Sequence, residues 1–350
     1  MSNILVTGGC GFIGSHTCIM LLEKGHNLII LDNFSNGSPK SINKIFEIFE
    51  DNNQKVDRQV NLIKADLRNF SECFNVFKEL NDNDINIDSV IHFGGFKDVK
   101  DSILKPLEYW ENNVMGTINL LKVMDSFNCR SLVFSSSATI YNGNFKGKFK
   151  EDSPKGPINP YGFTKLNIER ILNDLYVSSS SPWRIINLRY FNPVGAHHTG
   201  KIGENPLKNP SNLFPAITQA AIGKTKNLIV YGTDWPTRDG SAVRDFIHVM
   251  DLASAHIMAL DYLLINQKEF ISINLGSGKG TSVLELVDTF ERVNDLKLPL
   301  IRSKKREGDF AELVADISLA KQILNWEPKK NIEDICKDGW KWQSLNPQGY

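Results

Sequence analysis

A chain of 350 residues, 41% apolar and 23% charged, is long enough for two hydrophobic cores and ordinary in make-up for a globular protein. Its 40 basic and 40 acidic residues cancel, which removes any bulk electrostatic pull toward nucleic acid or an anionic membrane; an anionic ligand would have to meet a local group of Arg and Lys. The five cysteines (Cys10, Cys18, Cys73, Cys129, Cys336) are odd in number, widely spaced and without a C-x-x-C, which argues against a disulfide framework or zinc site and for a reducing cytoplasm.

The N-terminus enters a strand pattern at once, with no basic and apolar leader, and no apolar run approaches the roughly 20 residues of a membrane helix. Short runs rich in Ile, Val and Leu then recur at Ile4–Val6, Leu28–Leu31, Leu62–Ile63, Val90–His92, Leu132–Phe134 and Ile185–Leu188 and read as buried strands. Helical patterns lie between them near Phe12–Lys24, Ser71–Leu80, Pro106–Phe127 and Tyr161–Val177. This alternation predicts an α/β fold with a doubly wound parallel sheet of the Rossmann type, binding its ligand at the carboxyl ends of the strands. The Asn- and Lys-rich stretches Asn36–Asn61 and Glu79–Asp88 read as solvated surface insertions. Past Tyr190 prolines and glycines thicken and the alternation breaks, which predicts a smaller C-terminal α+β domain. The expected division is 1–189 and 190–350, with a segment near 244–264 returning to the first domain.

The first chemical motif is Gly8-Gly9-Cys10-Gly11-Phe12-Ile13-Gly14, directly after a strand and opening a helix. Such glycines let the backbone turn tightly and approach a pyrophosphate resting on the helix N-terminus. Asp32, 18 residues after Gly14 at the end of the second strand, can accept hydrogen bonds from ribose hydroxyls and repels a 2′-phosphate, which favours NAD over NADP. Asp66-Leu67 follows the third strand, suitably placed to touch adenine.

Tyr161 and Lys165 stand at i and i+4 near a helix start and so share a face. A free Tyr has a pKa near ~10, and bringing it toward neutrality takes about 3 units, or roughly 4 kcal/mol, from a nearby ammonium and a positively charged nicotinamide. It could then take a proton from a hydroxyl while hydride leaves the same carbon. A hydroxyl of Ser135-Ser136-Ser137-Ala138-Thr139, after the fifth strand, could hydrogen-bond the reacting sugar oxygen. His197-His198 suggests no metal, because adjacent side chains diverge and no spaced carboxylate or Cys partner is evident.

On these residues the chain resembles the extended short-chain dehydrogenase/reductases, and within them the UDP-glucose 4-epimerase family. The more specific matches are Tyr190 through His197 (YFNPVGAH) and Arg306 through Asp309, with further matches such as Val243-Arg244-Asp245 and the similarity running over essentially the whole length. The resemblance implies an NAD-dependent isomerase of galactose and nucleotide-sugar metabolism, with a UDP-sugar substrate, in the cytoplasm, as a homodimer built on the helices near Pro106–Phe127 and Tyr161–Val177. Catalysis would fall to Tyr161, Lys165 and Ser137. NAD would be held by Gly8, Gly11, Phe12, Ile13, Gly14, Asp32, Asn33, Phe34, Ser35, Asn36, Gly37, Asp66, Leu67, Phe93, Gly94, Gly95, Phe96, Lys97, Asn113, Tyr161, Lys165 and Phe191. The UDP-sugar would meet Ser137, Tyr161, Asn192, Asn212, Leu213, Tyr231, Arg244, Arg306, Asp309 and Leu313.

The chain departs from the family pattern at Gly94 (usually Ala), Ser211 (usually Asn) and Asn142 (usually Gly), and carries extra charge in Asp98-Val99-Lys100-Asp101. Leu313 falls where side-chain bulk limits the sugar's 2-substituent and is intermediate in size. An epimerase of another UDP-hexose, UDP-GlcNAc or UDP-GalNAc, stays open on that ground. A sugar-nucleotide dehydratase or decarboxylase would need acidic residues where Ala138 and Thr139 stand. An inactive NAD-binding regulator would not need Ser137, Tyr161 and Lys165 intact.

Overall fold

In chain order the first half of the protein runs β1 (Asn3–Thr7), α1 (Phe12–Glu23), β2 (Asn27–Asp32), α2 (Lys40–Asp51), β3 (Val60–Lys64), α3 (Phe70–Asp82), β4 (Ser89–His92), α4 (Val99–Leu104), α5 (Pro106–Tyr109), a π-helical turn at Trp110–Met115, α6 (Gly116–Ser126), β5 (Ser131–Ser137), α7 (Pro160–Ser178) and β6 (Arg184–Tyr190). The second half adds β7 (Asn192–Val194), α8 (Leu213–Ala221), β8 (Leu228–Tyr231), β9 (Val243–Arg244), β10 (Phe246–His248), α9 (Val249–Ile265), β11 (Glu269–Leu275), β12 (Thr281–Ser282), α10 (Val283–Asn294), β13 (Leu300–Ser303), β14 (Glu312–Leu313), α11 (Ser318–Leu324) and α12 (Ile332–Leu345). The structure is a computed structural model describing residues 1–178, 182–206, 212–266, 268–306 and 308–350, apart from the Arg58 side chain; Ser211 and Glu307 lie outside the described residues.

Seven strands form one sheet in the order β11-β6-β5-β4-β1-β2-β3. β1 pairs in parallel with β2 and with β4, β2 with β3, and β4 with β5. The strand order reverses beside β1, so the carboxyl ends of β1 and β4 face a topological switch point where open α/β sheets take their ligands. Ile4, Leu5 and Val6 are fully buried, as a central strand covered on both faces requires. The core between sheet and helices draws on Leu5, Ile29, Val90, Leu132 and Phe134 from strands and on Phe77, Leu120 and Ile168 from helices.

The described residues divide into two compact units. The first comprises 1–140, 157–189 and 253–273; the second comprises 141–156, 190–252 and 274–350. The chain thus crosses at Tyr141 and again at Pro157, a crossing that a single boundary after residue 189 leaves out, and the returning segment begins at Ala253. The second unit has its own core around Phe214, Ile217, Leu286, Phe290 and Ile335. Two of its helices start on capping boxes, Ser282 with Glu285 at α10 and Asn331 with Asp334 at α12.

Three expectations are corrected. Residues 36–61 do not form a mere solvated insertion: α2 sits there and buries Ile42, Ile45, Ile48 and Phe49 on one face, its Lys, Asn and Glu residues masking the stripe in composition. β3 is an edge strand with Leu62 exposed, not a buried one. The pattern at 106–127 is not one α-helix, because a π turn at Trp110–Met115 separates α5 from α6.

Candidate functional site

The glycine turn in the first unit is shaped by close approach. Gly8 has φ +68°, and a Cβ there would lie 2.8 Å from the Gly94 amide nitrogen. A Cβ on Gly14 would run into the Gly8 carbonyl and lie 2.8 Å from the Gly9 Cα. Gly11 is the N-cap of α1 and no side chain caps that helix, which leaves its start available to an anionic group. Gly37 also approaches closely: its Cβ would meet the Cys10 carbonyl carbon at 2.9 Å, so the 33–37 loop lies against the glycine turn.

Asp32 terminates β2 and is buried. Its carboxylate accepts from the Cys10 N–H at 3.0 Å and the Phe34 N–H at 2.8 Å, while burial pushes its pKa up against those bonds. Asn33 accepts from the Ser35 N–H at 3.0 Å and donates to Asp66 at 3.1 Å. Phe34 is held at φ +60°, a left-handed conformation costly for a bulky side chain and tolerated where surrounding bonds enforce it. Arg68 grips Asp66 with its Nε and one guanidinium nitrogen, and that bond is the main reason the Asp66 carboxyl falls to about 2. Asn33, Asp32 and Asp66 thus form one linked acidic rim at the carboxyl ends of β2 and β3.

The segment from Phe93 to Lys97 is fastened by Asn113, on the π turn. Asn113 Oδ1 accepts from the Phe96 N–H at 2.7 Å and from Asn112 at 2.9 Å; its Nδ2 donates to the Phe96 carbonyl at 3.0 Å and to Thr164 at 3.1 Å. These four bonds use the whole amide. Behind the segment, Thr7 bonds His92 Nδ1 at 2.6 Å, His92 Nε2 bonds Thr117 at 2.9 Å, and Thr117 donates to the Asn113 carbonyl at 2.6 Å. Burial and the nearby Lys165 charge hold His92 down at about 3, so the ring is neutral and relays one line of hydrogen bonds. At Gly94 a Cβ would press the tip of Leu67 at 2.8 Å, which that side chain can yield. Lys97 reaches over the Phe12 ring, 5.8 Å from its centroid.

Ser137, Tyr161 and Lys165 come together in the same unit. Tyr161 hydrogen-bonds Ser137, and Ser137 Oγ accepts from the Thr139 N–H at 3.2 Å and hydroxyl at 2.9 Å. α7 starts where Asn159 accepts from the Gly162 N–H at 2.8 Å, which fixes the turn carrying Tyr161. Burial raises the Tyr161 pKa, opposed by the Ser137 bond, and burial pulls Lys165 down to about 7, opposed by Glu169. Lys165 donates to the Ser135 carbonyl at 2.6 Å and stands over the Phe134 ring. The raised Tyr161 pKa comes from burial; the lowering expected from sequence called on a nicotinamide charge as well as the Lys165 ammonium.

In the second unit, Asn192 lies on β7, paired with Phe246 of β10, and its Oδ1 is buried with no hydrogen-bond partner among the described residues. Phe191 is buried just before it, its N–H on the Leu275 carbonyl. Asn212 begins α8 without side-chain capping and Leu213 is the first helical residue. Arg306 stacks on Tyr231, guanidinium carbon 4.0 Å from the ring centroid. Arg244, half-buried, donates to the Phe310 carbonyl at 2.9 Å and approaches Asp309 at 3.6 Å. Leu313 of β14 pairs with Arg244 of β9. An unpaired buried amide oxygen, two guanidinium groups and an aromatic face are what a nucleoside diphosphate requires. Among the described residues no group of three His, Cys, Asp or Glu is arranged to hold a metal, and no helix is long and apolar enough to cross a membrane.

Sequence reasoning passed over Ser136, Glu169 and Arg189. Glu169 accepts from Ser136 at 2.6 Å and from Arg189 Nε at 2.9 Å and a second guanidinium nitrogen at 2.7 Å. The available signal was the spacing of Glu169 four residues after Lys165, read only as helix composition.

The sequence profile of the GDP-mannose 4,6 dehydratase family matches residues 5–339. The chain is 46% identical to UDP-glucose 4-epimerase 2 of Arabidopsis thaliana over 351 residues, covering 99% of this chain and 97% of that protein. A UDP-glucose 4-epimerase from Bifidobacterium longum, solved in complex with NAD+ and UDP, superposes with a TM-score of 0.92 at 41% identity, covering 100% of both chains. One from Stenotrophomonas maltophila, with bound NAD and formylated UDP-arabinopyranose, gives 0.92 at 40% identity over 99% of each. With the glycine turn, the Ser137–Tyr161 pair and Lys165 assembled in one unit, and with identity and fold shared end to end, the chain belongs to the UDP-glucose 4-epimerase family of extended short-chain dehydrogenase/reductases.

Proposed function

We propose that the protein is an NAD-dependent 4-epimerase that interconverts UDP-glucose and UDP-galactose. The observation that carries this reading is the meeting of Tyr161 with Ser137, in the unit that also carries Lys165 and the uncapped start of α1. The close glycines and open helix start fit a dinucleotide pyrophosphate, and buried Asp32 fits its ribose hydroxyls. Bound there, NAD supplies a reversible hydride acceptor at sugar C4. Tyr161 takes the O4 proton and returns it, Ser137 holds O4, and Lys165 supplies positive charge beside the phenolate. The burial of Tyr161 excludes water from the proton transfer. Arg244, Arg306, Asn192 and Asn212 would hold the UDP moiety. Its grip leaves the 4-keto sugar free to turn, so the net reaction is redox-neutral.

Purified protein incubated with UDP-galactose and no added cofactor is expected to form UDP-glucose, and Tyr161→Phe to lose about 10²- to 10⁴-fold in rate while keeping bound NAD. A parent that converts nothing even with NAD supplied sinks the reading.

The homodimer belongs to the same proposal. Val99, Ile103, Leu104, Leu107, Met115 and Phe163, from α4, α5, the π turn and α7, expose an apolar set on the first unit. A second copy is its proposed partner, and sedimentation showing only monomer at micromolar concentration ends that idea. The five cysteines are free and buried, which supports a reducing cytoplasm as the compartment.

A further inference from the structure

Behind the reacting groups lies a charge pair that the proposed chemistry does not use. Arg189, Glu169 and Ser136 are 2%, 6% and 1% exposed. Arg189 ends the part of β6 inside the first unit and grips Glu169 with two nitrogens, one at 2.7 Å. Ser136 adds a hydroxyl donor at 2.6 Å. A pair buried this deeply seldom stabilises a fold more than apolar side chains of the same volume would. Its location accounts for it better. Glu169 stands one turn beyond Lys165 on α7, and Lys165 is one turn beyond Tyr161. Ser136 sits between Ser135, whose carbonyl takes the Lys165 ammonium, and Ser137, which bonds Tyr161.

We propose that the buried Arg189–Glu169–Ser136 cluster is the positioning element of the reaction centre: it locks the face of α7 bearing Tyr161 and Lys165 onto the strand bearing Ser137, and keeps a carboxylate one turn behind the Lys165 ammonium. The inference rests on the epimerase reading and deepens it. Around Lys165 stand His92 of β4 and Glu169 of its own helix, with the Ser135 carbonyl and Phe134 ring of β5, and Arg189 of β6 holds Glu169. Of these, Glu169 is the carboxylate that opposes the burial of the ammonium. None of the cluster's three residues needs to touch substrate for this role.

The test uses the full-length protein with its co-purified cofactor and Glu169→Gln, which keeps volume but removes the charge. We expect kcat to fall about tenfold or more with the KM for UDP-galactose moved less than about threefold, as loss of alignment without loss of ligand contacts predicts. A second readout is independent of turnover: in protein labelled with ¹³C at lysine Cε, the Lys165 resonance, assigned through Lys165→Met, is expected to titrate at lower pH in Glu169→Gln than in the parent. An unchanged kcat, a KM rise that accounts for the whole loss, or an unchanged Lys165 titration overturns the proposal. Should Glu169→Gln not fold, Ser136→Ala removes one bond and leaves the ion pair. It is expected to lower kcat about threefold to tenfold at unchanged KM, and a kcat equal to the parent's overturns the proposal. A parent inactive on UDP-galactose would instead overturn the epimerase reading, which keeps the two failures apart.

Discussion

Lys165 donates from Nζ to the main-chain carbonyl of Ser135 at 2.6 Å, so its charge is anchored to the strand that carries Ser137. That geometry places an ammonium in the interior, and burial brings its pKa from the ordinary 10.5 to about 7. The unfolded chain then binds one more proton than the folded chain between those values, and the group makes stability rise with pH across that window, by up to ~1.4 kcal/mol per pH unit. Lys165→Met is therefore expected to be inactive yet more stable than the parent at pH 6 to 7, with the gap shrinking toward pH 10. Denaturant melts at three pH values check this. A gap that widens with pH contradicts a buried Lys165 whose pKa is lowered to about 7.

Gly14 faces the backbone of its own turn, and a Cβ there meets the Gly8 carbonyl and the Gly9 Cα, neither of which is the end of a flexible side chain. Gly14→Ala should cost about 1–3 kcal/mol through the shift this forces. It should also release the cofactor, because the first turn of α1 moves away from the pyrophosphate position. Absorbance of the purified variant at the nicotinamide and adenine bands, with a thermal melt, reads both effects. A variant that keeps stoichiometric NAD would show that the turn has slack.

How legible these features were in the sequence depends on their range. The six predicted strands lie inside observed ones because each is a short apolar run bounded by turn residues. Tyr161 and Lys165 stand out because they share a helix face, whereas Ser137 is singled out among the hydroxyls at the end of β5 only by the family resemblance. α2 was hidden because its buried stripe of Ile42, Ile45, Ile48 and Phe49 is diluted by polar residues. The His92 relay and the Glu169–Arg189 pair join residues 20 to 85 positions apart, and no local pattern announces such contacts. The left-handed Phe34 is equally silent, since it lies between backbone groups tied to the Asp32 and Asn33 side chains rather than in a glycine turn. The crossing of 141–156 into the second unit follows from pairing at a distance: Phe149 bridges Ala315, and Asn274 bonds Tyr141 at 2.6 Å.

Arg306 lies over the Tyr231 ring while Arg244 is held by Asp309 and the Phe310 carbonyl. Arg244 is thus held by two oxygen partners, whereas Arg306 rests on an aromatic face. Arg306→Leu should weaken UDP binding about tenfold, the loss of one charge-assisted contact, and make the remaining affinity less dependent on salt. Arg244→Leu should cost more and also destabilise the fold, because it leaves the Phe310 carbonyl and Asp309 without their partner. Titration calorimetry with UDP at two ionic strengths separates the two, and equal effects would refute that difference in how they are held.

Leu313 is half-buried on β14, its backbone paired with that of the half-buried Arg244 on β9. If it limits the space beside the sugar's 2-substituent, volume at this one position sets the substrate range. Leu313→Ala should raise kcat/KM for UDP-GlcNAc relative to UDP-glucose by about tenfold or more, since a clash with an acetamido group is worth about 1–3 kcal/mol. Leu313→Tyr should suppress UDP-GlcNAc turnover and leave UDP-glucose within a few-fold. Rates for both sugars across the three proteins decide the matter: a ratio that ignores the size of residue 313 would assign the selectivity to another part of the second unit.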